Sequence, residues 1–126
     1  MSNVTNATTC SCDGDTFVAT VTGIPEAAEH VRLVEECYGK FTFKHAIWDF
    51  RASSLSGLPV ETIREVAAAS AKFADKRGPG AKTAYILRDE SEFLMFRALT
   101  ENIQQVSPVR FGAFYTMEDA RTWLSE

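Results

Sequence analysis

An α/β domain with a mixed, mainly parallel sheet is what this sequence predicts, on three observations. Short β-type runs alternate with longer segments of helical periodicity through most of the chain, and strands separated by helices become parallel neighbours with right-handed crossovers. That alternation begins only after two Thr- and Val-rich runs joined by Asp13-Gly14-Asp15, which is a hairpin signature, so one antiparallel pair precedes the parallel strands. Finally, 126 residues at 45% hydrophobic content suit a single core that needs no disulfide or metal to fold.

Each element has its own local reason. Residues 5–12 and 16–22 are predicted strands because Thr and Val dominate them, and Gly23 closes the pair. Residues 25–38 are predicted helical. Pro25 suits a first turn, Glu26 and Glu29 suit the positive dipole end, and Ala27, Val31, Val34 and Tyr38 share one face, with Gly39 as the stop. Phe41 and Phe43 alternate with polar neighbours on the way to residues 46–50, an apolar, aromatic run expected to be a buried middle strand. Ser53 to Pro59 read as a Ser- and Gly-rich turn, and Pro59 opens the longest predicted helix, 59–76. Ile63, Val66, Ala67, Ser70, Phe73 and Ala74 fall on one face of that helix, and the small residues 67–71 allow close approach.

Arg77-Gly78-Pro79-Gly80 ends that helix. Residues 83–87 are the next buried strand. Asp89 caps a third helix, with Glu92 in capping-box position and Phe93, Phe96, Leu99, Ile103 and Val106 at helical spacing. Ser107-Pro108 breaks it, 109–114 form the last strand, and Thr116 and Asp119 bracket the start of a short final helix whose Ala120, Trp123 and Leu124 face inward. The predicted order is β-β-α-β-α-β-α-β-α in one domain, 1–126, without repeats or linkers.

Composition narrows the function classes. A net charge of -4 argues against a general nucleic-acid binder, which is normally basic. No apolar run approaches the ~20 residues that span a bilayer, and the polar start of the chain lacks signal-peptide order, so the expectation is a cytoplasmic protein. Three cysteines, Cys10, Cys12 and Cys37, match no disulfide framework and are read as reduced thiols. Together with His30 and His45 they match no structural zinc spacing, so no metal and no cofactor are expected.

The candidate site follows from topology. In open α/β sheets, ligands gather beyond the carboxyl ends of the strands. Asp49, Arg51, Arg88, Asp89 and Tyr115 all fall there, either as a small polar cleft or as an Asp–Arg pair with a helix cap. Ser53 and Ser54 add hydroxyls beside a helix start that favours an anion. Arg64, Lys72, Lys76, Arg77, Lys82 and Arg88 concentrate positive charge in mid-chain, as a headgroup- or partner-attracting patch or as a solvated helix face. Phe93, Leu94, Met95 and Phe96 run in succession. One helix face cannot bury all four, which leaves a pocket or lid, a dimer contact, or core packing that wraps the helix start.

Four stretches carry a resemblance to a known family. They are Val21-Thr22-Gly23 at the end of an early strand; Ile47-Trp48-Asp49-Phe50-Arg51 followed by Leu55-Ser56-Gly57-Leu58; Thr83-Ala84-Tyr85; and Phe114-Tyr115-Thr116-Met117-Glu118-Asp119-Ala120-Arg121-Thr122-Trp123-Leu124. In order and over nearly the whole chain, these resemble the SpoIIAA-like proteins, small bacterial relatives of the STAS domain. The resemblance implies the fold shared by STAS and CRAL-TRIO lipid-binding domains. STAS regulators often carry a phosphorylatable serine in an Asp-Ser-Ser-Gly-Leu motif before their second helix, and the matching position here is Ser56. The sequence departs from that motif: no acidic residue precedes Ser56, and the loop follows its strand more closely. Read from the residues alone, Ser56 is equally a turn serine that satisfies backbone groups.

The expected function is therefore a non-enzymatic binding or regulatory module of STAS type, contacting a protein partner through the 53–58 loop and the second helix. The alternative is a small carrier of a lipid or other apolar ligand, with a pocket beneath the third helix at Phe93 and Phe96. A homodimer is a further expectation. An enzyme built on the Asp49, Arg51, Arg88 and Tyr115 edge is the outside reading, and no catalytic residue is assigned.

Overall fold

The computed structural model describes residues 7–23, 27–40, 42–53, 65, 68–69, 72–104 and 108–126. Five strands form one sheet in the order β1 (Ala7–Asp13), β2 (Thr16–Gly23), β3 (His45–Ser53), β4 (Lys82–Ile86) and β5 (Arg110–Phe114). The β1–β2 pair is antiparallel and every later pair is parallel. The described helices are α1 (Ala27–Lys40), the single turn α2 (Ala74–Arg77), α3 (Glu90–Gln104) and α4 (Met117–Leu124). The mixed α/β domain, its leading hairpin and its central 46–50 strand are as the sequence predicts.

The hairpin closes through Gly14-Asp15, because Asp13 pairs with Thr16. Only Gly14 takes a positive φ, 63°, the φ pattern of a II′ turn, in which the first central residue alone is left-handed. The turn also organises the next strand, since the Asp15 carbonyl accepts the amides of Lys44 (2.8 Å) and His45 (3.0 Å).

Alternation along the strands divides the core into two layers. On one face Phe17, Ala19, Val21, Ala46, Trp48 and Phe50 meet Val34, Cys37 and Tyr38 of α1 and Phe96 of α3. This layer is strongly aromatic. Phe17 stacks on Phe43 with ring centroids 5.0 Å apart, and Phe50 and Tyr85 both meet Phe96, at 5.4 and 5.1 Å. The polar tips are satisfied, as burial requires: the Trp48 indole N–H donates to the Tyr38 hydroxyl at 2.9 Å. On the opposite face Ile47, Ala84 and Ile86 pack on Ala120 and Leu124 of α4. Gly112 permits that packing, because a Cβ there would lie 2.9 Å from the Phe114 ring and 3.3 Å from Trp123.

Several boundaries differ from the sequence reading. Gly39 does not stop α1, which runs to Lys40. The Lys76 ammonium, far along the chain, donates to the carbonyls of Tyr38 and Gly39, both at 3.0 Å, and so satisfies terminal groups that a C-cap would otherwise serve. β3 extends through Ser53, so Ser53 belongs to the strand and not to the turn. Its side chain is buried, with its hydroxyl donating to the Phe50 carbonyl at 2.8 Å. Phe43 is buried just before β3. Of the predicted 59–76 helix, Glu65, Ala68 and Ala69 are helical, Lys72 and Phe73 form a turn, and the chain is helical again over α2, so Arg77 closes that single turn instead of following the helix. Ala69, which the predicted inward face omitted, is buried with Phe73 packed against the same cluster. The other residues of that segment, with Ser54 and Ser56, lie outside the described residues.

The basic run divides: Lys72, Lys76 and Arg88 are exposed, Arg77 and Lys82 are buried, and Arg64 lies outside the described residues. Arg77 is buried, donating to the Lys44 carbonyl (3.0 Å), the Lys82 carbonyl (2.7 Å) and the Thr83 hydroxyl (2.8 Å), with its guanidinium 5.3 Å from the Phe43 ring. Lys82 is also buried and reaches the carbonyls of Trp123 (2.9 Å), in the last turn of α4, and Glu126 (3.1 Å), just beyond it. Lys72 pairs with Glu35 at 3.3 Å.

Replacing Arg77 by Ala strands two carbonyls and a hydroxyl together. It is expected to cost about 3 kcal/mol or more in urea unfolding with an unchanged m-value. Arg77→Lys should recover only part of this, because an ammonium cannot span three acceptors as a planar fork does.

Candidate functional site

The carboxyl ends of β3, β4 and β5 lie side by side in register, Asp49 opposite Ile86 and Ile86 opposite Phe114. The sequence placed Asp49, Arg51, Arg88, Asp89 and Tyr115 along this edge, and they do occupy it. They form two neighbouring groups, not one cleft.

The first group is a closed ion pair. Asp49 alternates with Ile47 on the α4 face, and its side chain is 10% exposed against 44% for Arg51. Arg51 grips the carboxylate at both oxygens: Nε donates to Oδ1 at 3.0 Å, one terminal nitrogen donates to Oδ2 at 2.8 Å, and the Arg51 amide adds a bond to Oδ1 at 3.1 Å. A forked, charge-assisted pair of this kind is specific in geometry. It sits beside an irregularity in the β2–β3 register between Thr20 and Thr22, where the strand bends and re-aims its side chains. Burial alone would raise the Asp49 carboxyl. The hydrogen bonds and charge of Arg51 outweigh it and hold the carboxyl below its ordinary value.

The second group surrounds the start of α3. Asp89 is the N-cap, accepting the Glu92 amide at 2.9 Å, as the capping-box spacing predicts. Arg88 lies 3.4 Å from the buried Glu92 carboxylate and 3.8 Å from Asp89. The sequence reading saw Glu92 only as a capping residue; its burial needed the tertiary fold. Phe93 stacks on Tyr115 with centroids 4.7 Å apart, so α3 and the β5–α4 junction share one aromatic contact. Phe96 turns inward against Phe50 and Tyr85. Leu94 and Tyr115 stay exposed, at 55% and 44%. The run 93–96 is therefore split between core (Phe96), half-buried packing (Phe93, Met95) and open surface (Leu94).

An acid–base catalyst needs a proton near the working pH. Asp49 is instead held ionised by its own neighbour. No cluster of three or more His, Cys, Asp or Glu residues suited to a metal occurs among the described residues. A shallow hollow of about 270 Å³ lies at the other end of the sheet, lined by Asp15, Thr16, His45, Arg121, Leu124 and Ser125. There His45 Nδ1 accepts the Lys82 amide at 3.1 Å, and burial holds the ring below its usual imidazole range. Among the described residues no helix is long and apolar enough to cross a membrane.

No protein-family model and no curated protein matches the chain. Solved structures do match. An uncharacterised DUF3478-family protein with a SpoIIAA-like fold from Shewanella loihica PV-4 superposes with a TM-score of 0.62 at 18% identity, over 98% of both chains. An anti-sigma factor antagonist from Mycobacterium paratuberculosis gives 0.65 at 14% identity, over 96% of this chain and 95% of that one. The anti-sigma factor antagonist SpoIIAA in its unphosphorylated form gives 0.52 at 14% identity, over 94% and 98%. The chain has the SpoIIAA-like fold, as the resemblance implied.

Because Asp49 is depressed in the folded state, the pair's contribution is complete above the ordinary carboxyl pKa and is lost as pH falls through the lower folded value. Water screens the half-exposed Arg51. Asp49→Asn is therefore expected to cost about 1 kcal/mol at pH 7 by urea unfolding. The gap from wild type should close as the medium is taken below about pH 4; an equal gap at pH 3 and pH 7 would exclude the carboxylate as its source.

Proposed function

We propose that this protein is a non-enzymatic regulatory module of STAS type, which binds a protein partner through the carboxyl edge of its sheet and the adjoining 53–58 loop. The observation that carries this reading is the state of the edge itself. Its charges are already committed to one another, Asp49 to Arg51 and Arg88 to Glu92, while Tyr115, stacked on Phe93, and Leu94 next to it in α3 stand exposed. An aromatic and an aliphatic side chain left open beside paired charges suit a protein contact better than proton transfer. Likeness to two anti-sigma factor antagonists over almost the full chain supports a module that works by docking.

Within this reading Ser56 is the regulatory position. A phosphate there places close to two negative charges beside the docking edge and opposes an acidic partner surface. The carrier alternative would need room under α3, and Phe96 occupies the space there between Phe50 and Tyr85.

Site-specific photo-cross-linking in cells tests the proposal. A probe at Tyr115 or Leu94 should capture a protein partner that a probe at the exposed Arg32 of α1 does not. Ser56→Asp should reduce that adduct at least tenfold, with Ser56→Ala retaining it. Equal capture from both surfaces would sink the reading. Native mass spectrometry of the purified protein should return the bare polypeptide mass; a retained apolar ligand would favour the carrier instead.

A further inference from the structure

Cys10 and Cys37 are 27 residues apart in sequence, yet their sulfurs lie 2.9 Å from each other. That is inside van der Waals contact and within about 1 Å of a disulfide bond length. Cys10 is half-buried on β1, opposite Ala19, and Cys37 is buried on α1. Both face the aromatic layer, so the side chains approach across the gap between the edge strand and the helix. Cys12 points to the same side but is held elsewhere, with its sulfur 3.7 Å from the Gly14 carbonyl and 4.0 Å from that of Thr42.

We propose that Cys10 and Cys37 are a dithiol pair that a peroxide-class oxidant converts to a disulfide, leaving Cys12 as a free thiol. The site favours a small oxidant, because Cys37 is buried and Cys10 only half open. Burial first, then the hydrogen bond and charge of Cys10, push the Cys37 thiol up to about 12. Cys37 is thus a poor initial nucleophile, and Cys10, the more open of the two, begins the reaction.

The steps balance. The Cys10 thiol gives up its proton and its sulfur attacks hydrogen peroxide; an S–O bond forms, the O–O bond breaks, and the released hydroxide takes that proton as water. The Cys37 sulfur then attacks the Cys10 sulfenic sulfur. The S–S bond forms, the S–O bond breaks, and the leaving hydroxide carries off the Cys37 proton as a second water. Two thiols are oxidised by two electrons and one peroxide is reduced. The product pins β1, an edge strand of the sheet among the described residues, to α1, and so secures an edge of the kind open to local unfolding.

The test uses the full-length protein, hydrogen peroxide and dithiothreitol. Treated protein should lose two hydrogen masses as a monomer. After unfolding it should retain one alkylatable thiol, at Cys12, and yield a linked Cys10–Cys37 peptide pair that dithiothreitol reverses. Closing this loop should raise the thermal midpoint by roughly 10 °C. Cys12→Ser should oxidise as wild type does. Three alkylatable thiols after treatment, a bond that includes Cys12, or a disulfide-linked dimer would each overturn the assignment, and these readouts on the wild-type chain do not depend on any cysteine variant folding.

Discussion

The buried guanidinium of Arg77 holds together the end of the molecule from which the parallel strands start. It bonds the carbonyl just before β3, the first carbonyl of β4 and the second side chain of β4, while lying over Phe43. Parallel strands have no hairpin to align their beginnings; here a cation does so. Asp15 does the same for β2 and β3 by accepting two amides. With the amino edge tied down in this way, the opposite edge is where side chains can vary without undoing the sheet. That division is what lets α/β folds keep one scaffold and change what it binds.

Three cations of this protein serve the backbone of other segments. Lys76 finishes α1, Lys82 finishes α4, and Arg77 joins two strands. Each donates to backbone carbonyls that a buried helix end or strand end would otherwise leave unpaired. Two cations, Arg77 and Lys82, and two anions, Asp49 and Glu92, are buried among the described residues, so the overall charge of -4 is carried by the rest of the chain. An acidic exterior with a mixed aromatic edge suits discrimination among protein surfaces better than attraction to polyanions.

Local chemistry was legible in the sequence, and long-range chemistry was not. Asp13-Gly14-Asp15, the Asp89–Glu92 spacing and the Thr116–Asp119 cap all worked as read, because each is decided within four residues. The edge position of Asp49, Arg51, Arg88 and Tyr115 was also readable, since strand ends follow from periodicity. Which acid met which base was not: Asp49 chose the arginine two residues away, and Arg88 chose a glutamate in the first turn of the helix that follows it. Gly39 misled because a lysine from another segment serves the helix end. The nearness of Cys10 and Cys37 likewise depends on how α1 lies on β1, a distance that no spacing rule encodes. The serines at 54 and 56 lie outside the described residues, so the loop reading still rests on sequence.

The short helix α4 covers β3, β4 and β5 on its face, while the same face of the hairpin presents Thr9 and Ser11 exposed and Thr16 and Thr20 half-buried. Among the described residues, the sheet is therefore covered on this face at β3–β5 and open at the hairpin. Mutational tolerance should be just as lopsided: polar exchange is cheap where water already wets the threonines and costly under Ala120 and Leu124. Among related chains, drift would then gather on the hairpin's outer face, and a change there would leave the carboxyl edge of the sheet untouched.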